Sequence, residues 1–211
     1  EGTIFNSAGE PIRNVYLNGS GPSYGWARTG PDGYYVMRGL EDGSYSVSTS
    51  NWQGYMDQTR TVTVQTNQRA TVNFTLNTRD ELAQAFGGAG NAFSVNTDRA
   101  APGERLTYKA AYKNGLATAV ENVVLTLDVP ENTTYVNGSL AVNGAASGVT
   151  PAGGKITVEL GTVEAGGSGT ITYQVDVSGS LNQEADLLAK GDIRWTAGGQ
   201  EQNKPLGVAA T

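Results

Sequence analysis

"TGPDGYYVMRGLEDGSY", residues 29–45, decides how this chain is read. Pro31-Asp32-Gly33 has the composition of a tight turn: proline presets its φ, aspartate bonds back to the backbone, and glycine accepts a positive φ. "YYVM" then leads out as a strand. Glu41-Asp42-Gly43 repeats the device before "SYSVSTS", where Tyr45, Val47 and Thr49 share one face. Neighbouring carboxylates and tyrosines invite a catalytic reading, but each Asp-Gly pair is better explained as a corner between strands.

Outward from this stretch, apolar and polar residues keep alternating. Val15 and Leu17 share a face in residues 14–18, Val62 and Val64 in 60–65, and Val72, Phe74 and Leu76 in 70–76, with threonine and asparagine opposite. A period of two with one wet face predicts antiparallel sheets. Residues 77–91, "NTRDELAQAFGGAGN", break the pattern. Asp80 and Glu81 can start two helical turns that "GGAGN" cannot propagate, so a linker with a short helix is predicted over 78–91. Beyond it the inward sets are Leu106, Tyr108, Ala110 and Tyr112; Val123, Leu125, Leu127 and Val129; Ile156, Val158 and Leu160; Ile171, Tyr173, Val175 and Val177; and Leu187, Ala189, Ile193 and Trp195. The expected fold is all-β: a sandwich over 1–77, the linker, and an immunoglobulin-like sandwich over 92–211.

Composition removes many functions. The chain has neither cysteine nor histidine, which excludes disulfides, thiol nucleophiles, Ser-His-Asp triads and metal sites that need imidazole or thiolate. No cofactor is expected. A net charge of −6, with 14 basic residues scattered rather than clustered, offers no footprint for nucleic acid. No apolar run is long enough to span a bilayer and no basic-then-apolar leader is present, so no membrane insertion is expected of this chain.

Two resemblances sharpen the reading. "EGTIFNSAGEPIRNVYL", "TGPDGYYVMRGLEDGSYSV" and "VTVQTNQRATVNFTL" resemble the first hairpin, central turns and closing hairpin of a carboxypeptidase-regulatory-like, or transthyretin-like, sandwich. That resemblance implies a noncatalytic accessory or stalk unit. Residues 93–177, with "PGE-LTY", "KNG", "DVP-T-YV-GS" and "LG-V-AG-SGTI-Y" in order, look like the DUF11-type repeat of bacterial and archaeal surface proteins. This second resemblance implies a wall, sheath or surface-layer module.

Candidate chemistry is sparse. Glu41-Asp42 with Asp32, or Glu184-Asp186 with Asp192, carry oxygen ligands but lack the spacing of a calcium loop, and solvated turns explain them better. Tyr24, Trp26, Trp52 and Tyr55 are candidates for contact with a ligand or partner, weighed against loops folded over the core edge. Lys109, Lys113 and Lys190 fall in the polar phase of their strands, which argues against a buried isopeptide bond. Asn18, Asn73, Asn132 and Asn137 head Asn-x-Ser/Thr triplets open to glycosylation. Residues 203–211, "NKPLGVAAT", read either as the last strand of their own sandwich or as a tail added to a neighbour. The function expected is a structural, non-enzymatic subunit of a prokaryotic cell exterior: a stalk, surface layer or filament that associates with its own copies or other surface proteins through strand edges. The alternative is a polysaccharide-binding module using the first-domain aromatics.

Overall fold

The computed structural model describes every residue except Trp52 and Asn182, and the chain divides into two compact units, Glu1–Leu82 and Ala83–Thr211. Both are built almost wholly from strands. In the first unit the strands are β1 (Gly2–Asn6), β2 (Tyr16–Ser20), β3 (Tyr24–Arg28), β4 (Tyr34–Tyr35), β5 (Gly43–Ser50), β6 (Thr59–Val64) and β7 (Phe74–Leu76). They form two sheets, β4-β1-β7 and β3-β2-β5-β6. Between the sheets lie Ile4, Val15, Leu17, Tyr35, Tyr45, Val47, Phe74 and Leu76, all buried. Burying each such side chain contributes about 1.5–3 kcal/mol, which exceeds the ~1 kcal/mol span of strand propensity. The inward phase of alternation therefore fixes which way each strand faces.

Two expectations are corrected in this unit. The segment read as a closing hairpin passes from one sheet to the other, β6 and β7 lying in different sheets, whereas the first hairpin is present: Phe5 bridges Pro11 antiparallel and the Ile12 N–H donates to the Ile4 carbonyl at 2.9 Å before the chain crosses to β2. In addition, β1 and β7 pair in parallel, with Ile4 opposite Phe74 and Asn6 opposite Leu76, so the sandwich is not purely antiparallel. Alternation within a strand reports its buried face and not its neighbour. The strand expected from "YYVM" covers only Tyr34 and Tyr35. Met37 and Leu40 instead pack against the core, the Met37 sulfur over Gly19 and Leu40 over Gly25, where neither glycine has a side chain to obstruct them.

Helix α1 (Arg79–Ala83) starts with a reciprocal cap: the Thr78 N–H donates to Glu81 Oε2 at 2.6 Å, and the Glu81 N–H to Thr78 Oγ1 at 3.3 Å. The Ser7 hydroxyl also donates to Glu81, and these bonds hold its carboxyl below the ordinary range. Further along the segment expected to be a linker, Ala85 and Phe86 are buried in the second unit, where Phe86 meets Trp195 edge-on at 5.1 Å.

The second unit contains β8 (Ala92–Val95), β9 (Arg105–Lys113), β10 (Val120–Asp128), β11 (Thr133–Tyr135), β12 (Ala141–Val142), β13 (Ala145–Ala146), β14 (Lys155–Val163), β15 (Ser168–Val177), β16 (Leu188–Ala197) and β17 (Gln200–Ala210). One sheet runs β14-β10-β16-β17; the other runs β13-β12-β15-β9-β8, with β11 also on β15. Tyr108 and Tyr173 stack at 5.2 Å, and Phe93 lies 5.7 Å from Tyr108. Lys109, Lys113 and Lys190 are exposed while Tyr108, Tyr112 and Ala189 are buried, as their alternation predicts. Leu160 and Val129 depart from their inward sets and are only half-buried. For Leu160 the cause is local: Gly161 has φ +70°, the pairing with β10 shifts register there, and Val163 becomes the next buried residue. Residues 203–210 lie in β17, paired to β16 as an edge strand of their own sheet.

Candidate functional site

The outer face of the β3-β2-β5-β6 sheet is the most distinctive exposed surface of the first unit. Because Leu17, Gly19, Gly25 and Ala27 point inward, Tyr16, Asn18 and Ser20 of β2 and Tyr24, Trp26 and Arg28 of β3 must point out. Cross-strand register sets Arg28 beside Tyr16, Trp26 beside Asn18, and Tyr24 beside Ser20. Tyr24 and Trp26 are each 67% exposed and Tyr16 is 42% exposed. The Tyr24 hydroxyl donates to Asn18 Oδ1 at 2.6 Å, and the Arg28 guanidinium lies 5.9 Å from the Tyr16 ring centroid. Ser46 and Ser48 of β5 and Thr59 and Thr61 of β6 carry the same face on as rows of hydroxyls. Among the described residues β3 has no strand on its far side, so its backbone groups there are open to a partner.

The predicted contact residues separate. Tyr24 and Trp26 share this face. Trp52 lies outside the described residues. Tyr55 is half-buried and packs against the core, its backbone bridging to Thr78 while Asn51 takes its N–H and donates to its carbonyl. Tyr16 was missing from the predicted set although the inward pairing of Val15 and Leu17 already turned it outward; the register that puts it next to β3 is a tertiary fact.

The carboxylates serve turns. Asp32 Oδ1 accepts from the Tyr34 N–H at 3.1 Å and Asp42 from the Thr66 hydroxyl at 2.7 Å. Glu184 and Asp186 line an open groove of about 670 Å³ with Asp98 and Arg99, whereas Asp192 sits on β16. Among the described residues no three acidic groups gather in a metal-holding cluster. Asn18, Asn73, Asn132 and Asn137 are all exposed; Asn18 and Asn73 accept hydrogen bonds, the latter from the Thr3 N–H at 2.9 Å.

The most displaced titrations belong to structural phenols. Burial pushes Tyr173 far above the usual phenol range; its hydroxyl donates to the Asp128 carbonyl. Tyr35, donating to the Val72 carbonyl at 2.6 Å, is pushed up to about 12 by burial, with Arg60 opposing. A raised phenol favours the neutral form in the folded state. Its stabilisation is whole below the unfolded value of 10 and is lost as pH rises from there towards about 12. The unfolding free energy of the first unit is expected to fall across that window, and Tyr35→Phe to flatten that fall; an unchanged slope in the phenylalanine variant would exclude Tyr35 as its source.

The fold and this face define a class of protein, a two-unit β-sandwich chain with an exposed aromatic and hydroxyl sheet surface. Residues 1–77 match the family model for the carboxypeptidase regulatory-like domain. No curated protein sequence matches the chain. Among solved structures, BcpA, the major pilin subunit of Bacillus cereus, is similar at 13% identity and a TM-score of 0.45, covering 99% of this chain and 67% of that one. The major pilin SpaD of Corynebacterium diphtheriae is similar at 11% identity and a TM-score of 0.44, covering 100% and 64%. The collagen-binding subdomain of the Enterococcus faecalis surface protein ACE is similar at 8% identity and a TM-score of 0.43, covering 58% and 96%. The chain thus spans about two thirds of the length of these pilins.

Proposed function

We propose that this chain is a non-catalytic structural module of a prokaryotic cell exterior, a stalk, surface-layer or filament component that engages its own copies or other surface proteins along strand edges. The observation that carries this reading is the coincidence of Tyr24 and Trp26, each 67% exposed, with the open edge of β3. An unpaired edge supplies backbone donors and acceptors, and flanking aromatics supply apolar area that is most useful once covered. Exposed Leu188 and Val208 beside the β17 edge give the second unit a comparable feature. The match of residues 1–77 to a regulatory-like domain supports an accessory role, and on this reading residues 93–177 are a DUF11-type surface repeat.

Sedimentation and electron microscopy of concentrated protein test it. The native chain is expected to form concentration-dependent assemblies, and Trp26→Ala to weaken them by about tenfold or more, as for a buried aromatic anchor. A chain that stays monomeric at every concentration and captures no surface protein would overturn the proposal. A second reading, polysaccharide binding, is favoured by the hydroxyl rows beside the aromatics, since rings stack on sugar faces while Asn18, Ser46 and Ser48 bond to sugar hydroxyls. Under that reading the native chain sediments with insoluble cell-wall polymer and Trp26→Ala does not.

A further inference from the structure

We infer that Asn137 is a self-modifying site, whose amide is lost by deamidation well ahead of the chain's other Asn-Gly steps. There are four such steps: Asn18-Gly19, Asn114-Gly115, Asn137-Gly138 and Asn143-Gly144. In the reaction the glycine backbone nitrogen attacks the asparagine Cγ and gives up its proton, and the side-chain amide departs as ammonia. Water then opens the resulting succinimide at one carbonyl or the other, leaving aspartate or isoaspartate. Water is the only co-reactant. The step needs a free side-chain amide, an uncommitted glycine N–H, and a backbone not locked in a ladder; glycine adds no Cβ to obstruct ring closure.

The structure withholds these conditions from three of the four. Asn18-Gly19 sits in β2, with β3 on one side and β5 on the other, and the Asn18 amide oxygen accepts from Tyr24. Asn114 is buried, its Nδ2 faces the carbonyls of Thr118, Val163 and Glu164, and the Gly115 nitrogen donates to the Ala85 carbonyl at 2.7 Å. Asn143 is exposed, yet its Oδ1 accepts from the Thr170 N–H at 2.8 Å and its Nδ2 donates to the Tyr112 hydroxyl at 3.3 Å.

Asn137 meets them all. It is exposed in the turn closed by the Ser139 N–H on the Val136 carbonyl at 3.1 Å, Gly138 has φ +76°, and among the described residues neither the Asn137 side chain nor the Gly138 nitrogen has a hydrogen-bond partner. Conversion adds a carboxylate between β11 and β12. Asn137-Gly138-Ser139 is also a glycan-acceptor triplet, so both modifications compete for one nitrogen: a glycosylated Nδ2 cannot leave as ammonia.

Peptide mapping of the full chain, aged at mildly alkaline pH, tests the inference. Amide-to-acid conversion, with its isoaspartate product, is expected first at Asn137. The other three steps should lag by about tenfold or more, because each must first open locally at a cost above about 1.4 kcal/mol. In strong denaturant all four should convert at comparable rates, showing that the fold and not the flanking sequence makes the difference. Equal rates in the folded chain would overturn the inference. So would Asn18 or Asn143 leading, or Asn137 staying intact while a peptide spanning residues 134–141 converts.

Discussion

Replacing Asn114 with alanine is expected to destabilise the second unit by about 3 kcal/mol, enough to speed exchange of the β9 and β14 amides more than a hundredfold. Asn114 follows directly on β9 and is buried with no exposed surface. Its Nδ2 lies 2.9 Å from the Thr118 carbonyl, 3.1 Å from that of Val163 and 3.0 Å from that of Glu164, while its Oδ1 accepts from the Leu116 N–H at 3.0 Å. One side chain thus ties the turn after β9 to the end of β14, which lies in the other sheet. Alanine withdraws donor and acceptor together, and a buried N–H left without an acceptor costs about 1–3 kcal/mol by itself.

Asn114→Asp separates hydrogen bonding from size. At neutral pH the acid turns a charged oxygen towards carbonyl oxygens, so it should be worse than alanine despite near-identical shape. Burial and that repulsion raise its folded pKa, so the deficit should shrink as pH falls, when the protonated acid regains one donor. An alanine variant within about 0.5 kcal/mol of the native chain would show that the contacts are dispensable.

How much of this was legible depends on distance along the chain. Tyr108 inside and Lys109 outside follow from period-two alternation and burial, and so do the inward sets of β10, β15 and β16. Alternation failed where a glycine reset it: nothing around "ELGTV" marks Gly161 as a positive-φ bulge that leaves Leu160 half-exposed. Pairing between strands was less legible, because the parallel contact of β1 with β7 joins segments some 70 residues apart. The candidate face follows the same rule. Tyr16, Tyr24 and Trp26 each face outward by local logic, but their adjacency is set by β2–β3 register, and Tyr55 is drawn to the core by a loop that Asn51 organises. Asn114 stood in plain view in "KNG", yet its acceptors come from residues 118, 163 and 164.

The turn on which the reading began makes the second large prediction. Gly33 closes the Pro31-Asp32 corner, donating to the Gly30 carbonyl at 3.1 Å, while its own carbonyl accepts from the Ile4 N–H at 2.9 Å. At φ +73° an L-residue pays about 1–2 kcal/mol, and a Cβ there would lie 2.5 Å from the Ile4 carbonyl oxygen and 3.1 Å from Pro11 Cβ. That oxygen cannot retreat freely, because it accepts from the Ile12 N–H at 2.9 Å. Gly33→Ala must therefore push β1 away from the corner, and a loss of about 3 kcal/mol is expected in the first unit, read as faster amide exchange in β1 and β4. Gly39→Ala is the matched control: its φ is +71° but a Cβ there meets nothing within 4 Å, so it pays the same backbone cost alone, about 1–2 kcal/mol. If the two substitutions cost the same, the corner acts through its backbone angles only; a larger loss at Gly33 makes the close approach of the Asp-Gly turn to β1 the contact that sets one sheet of the sandwich.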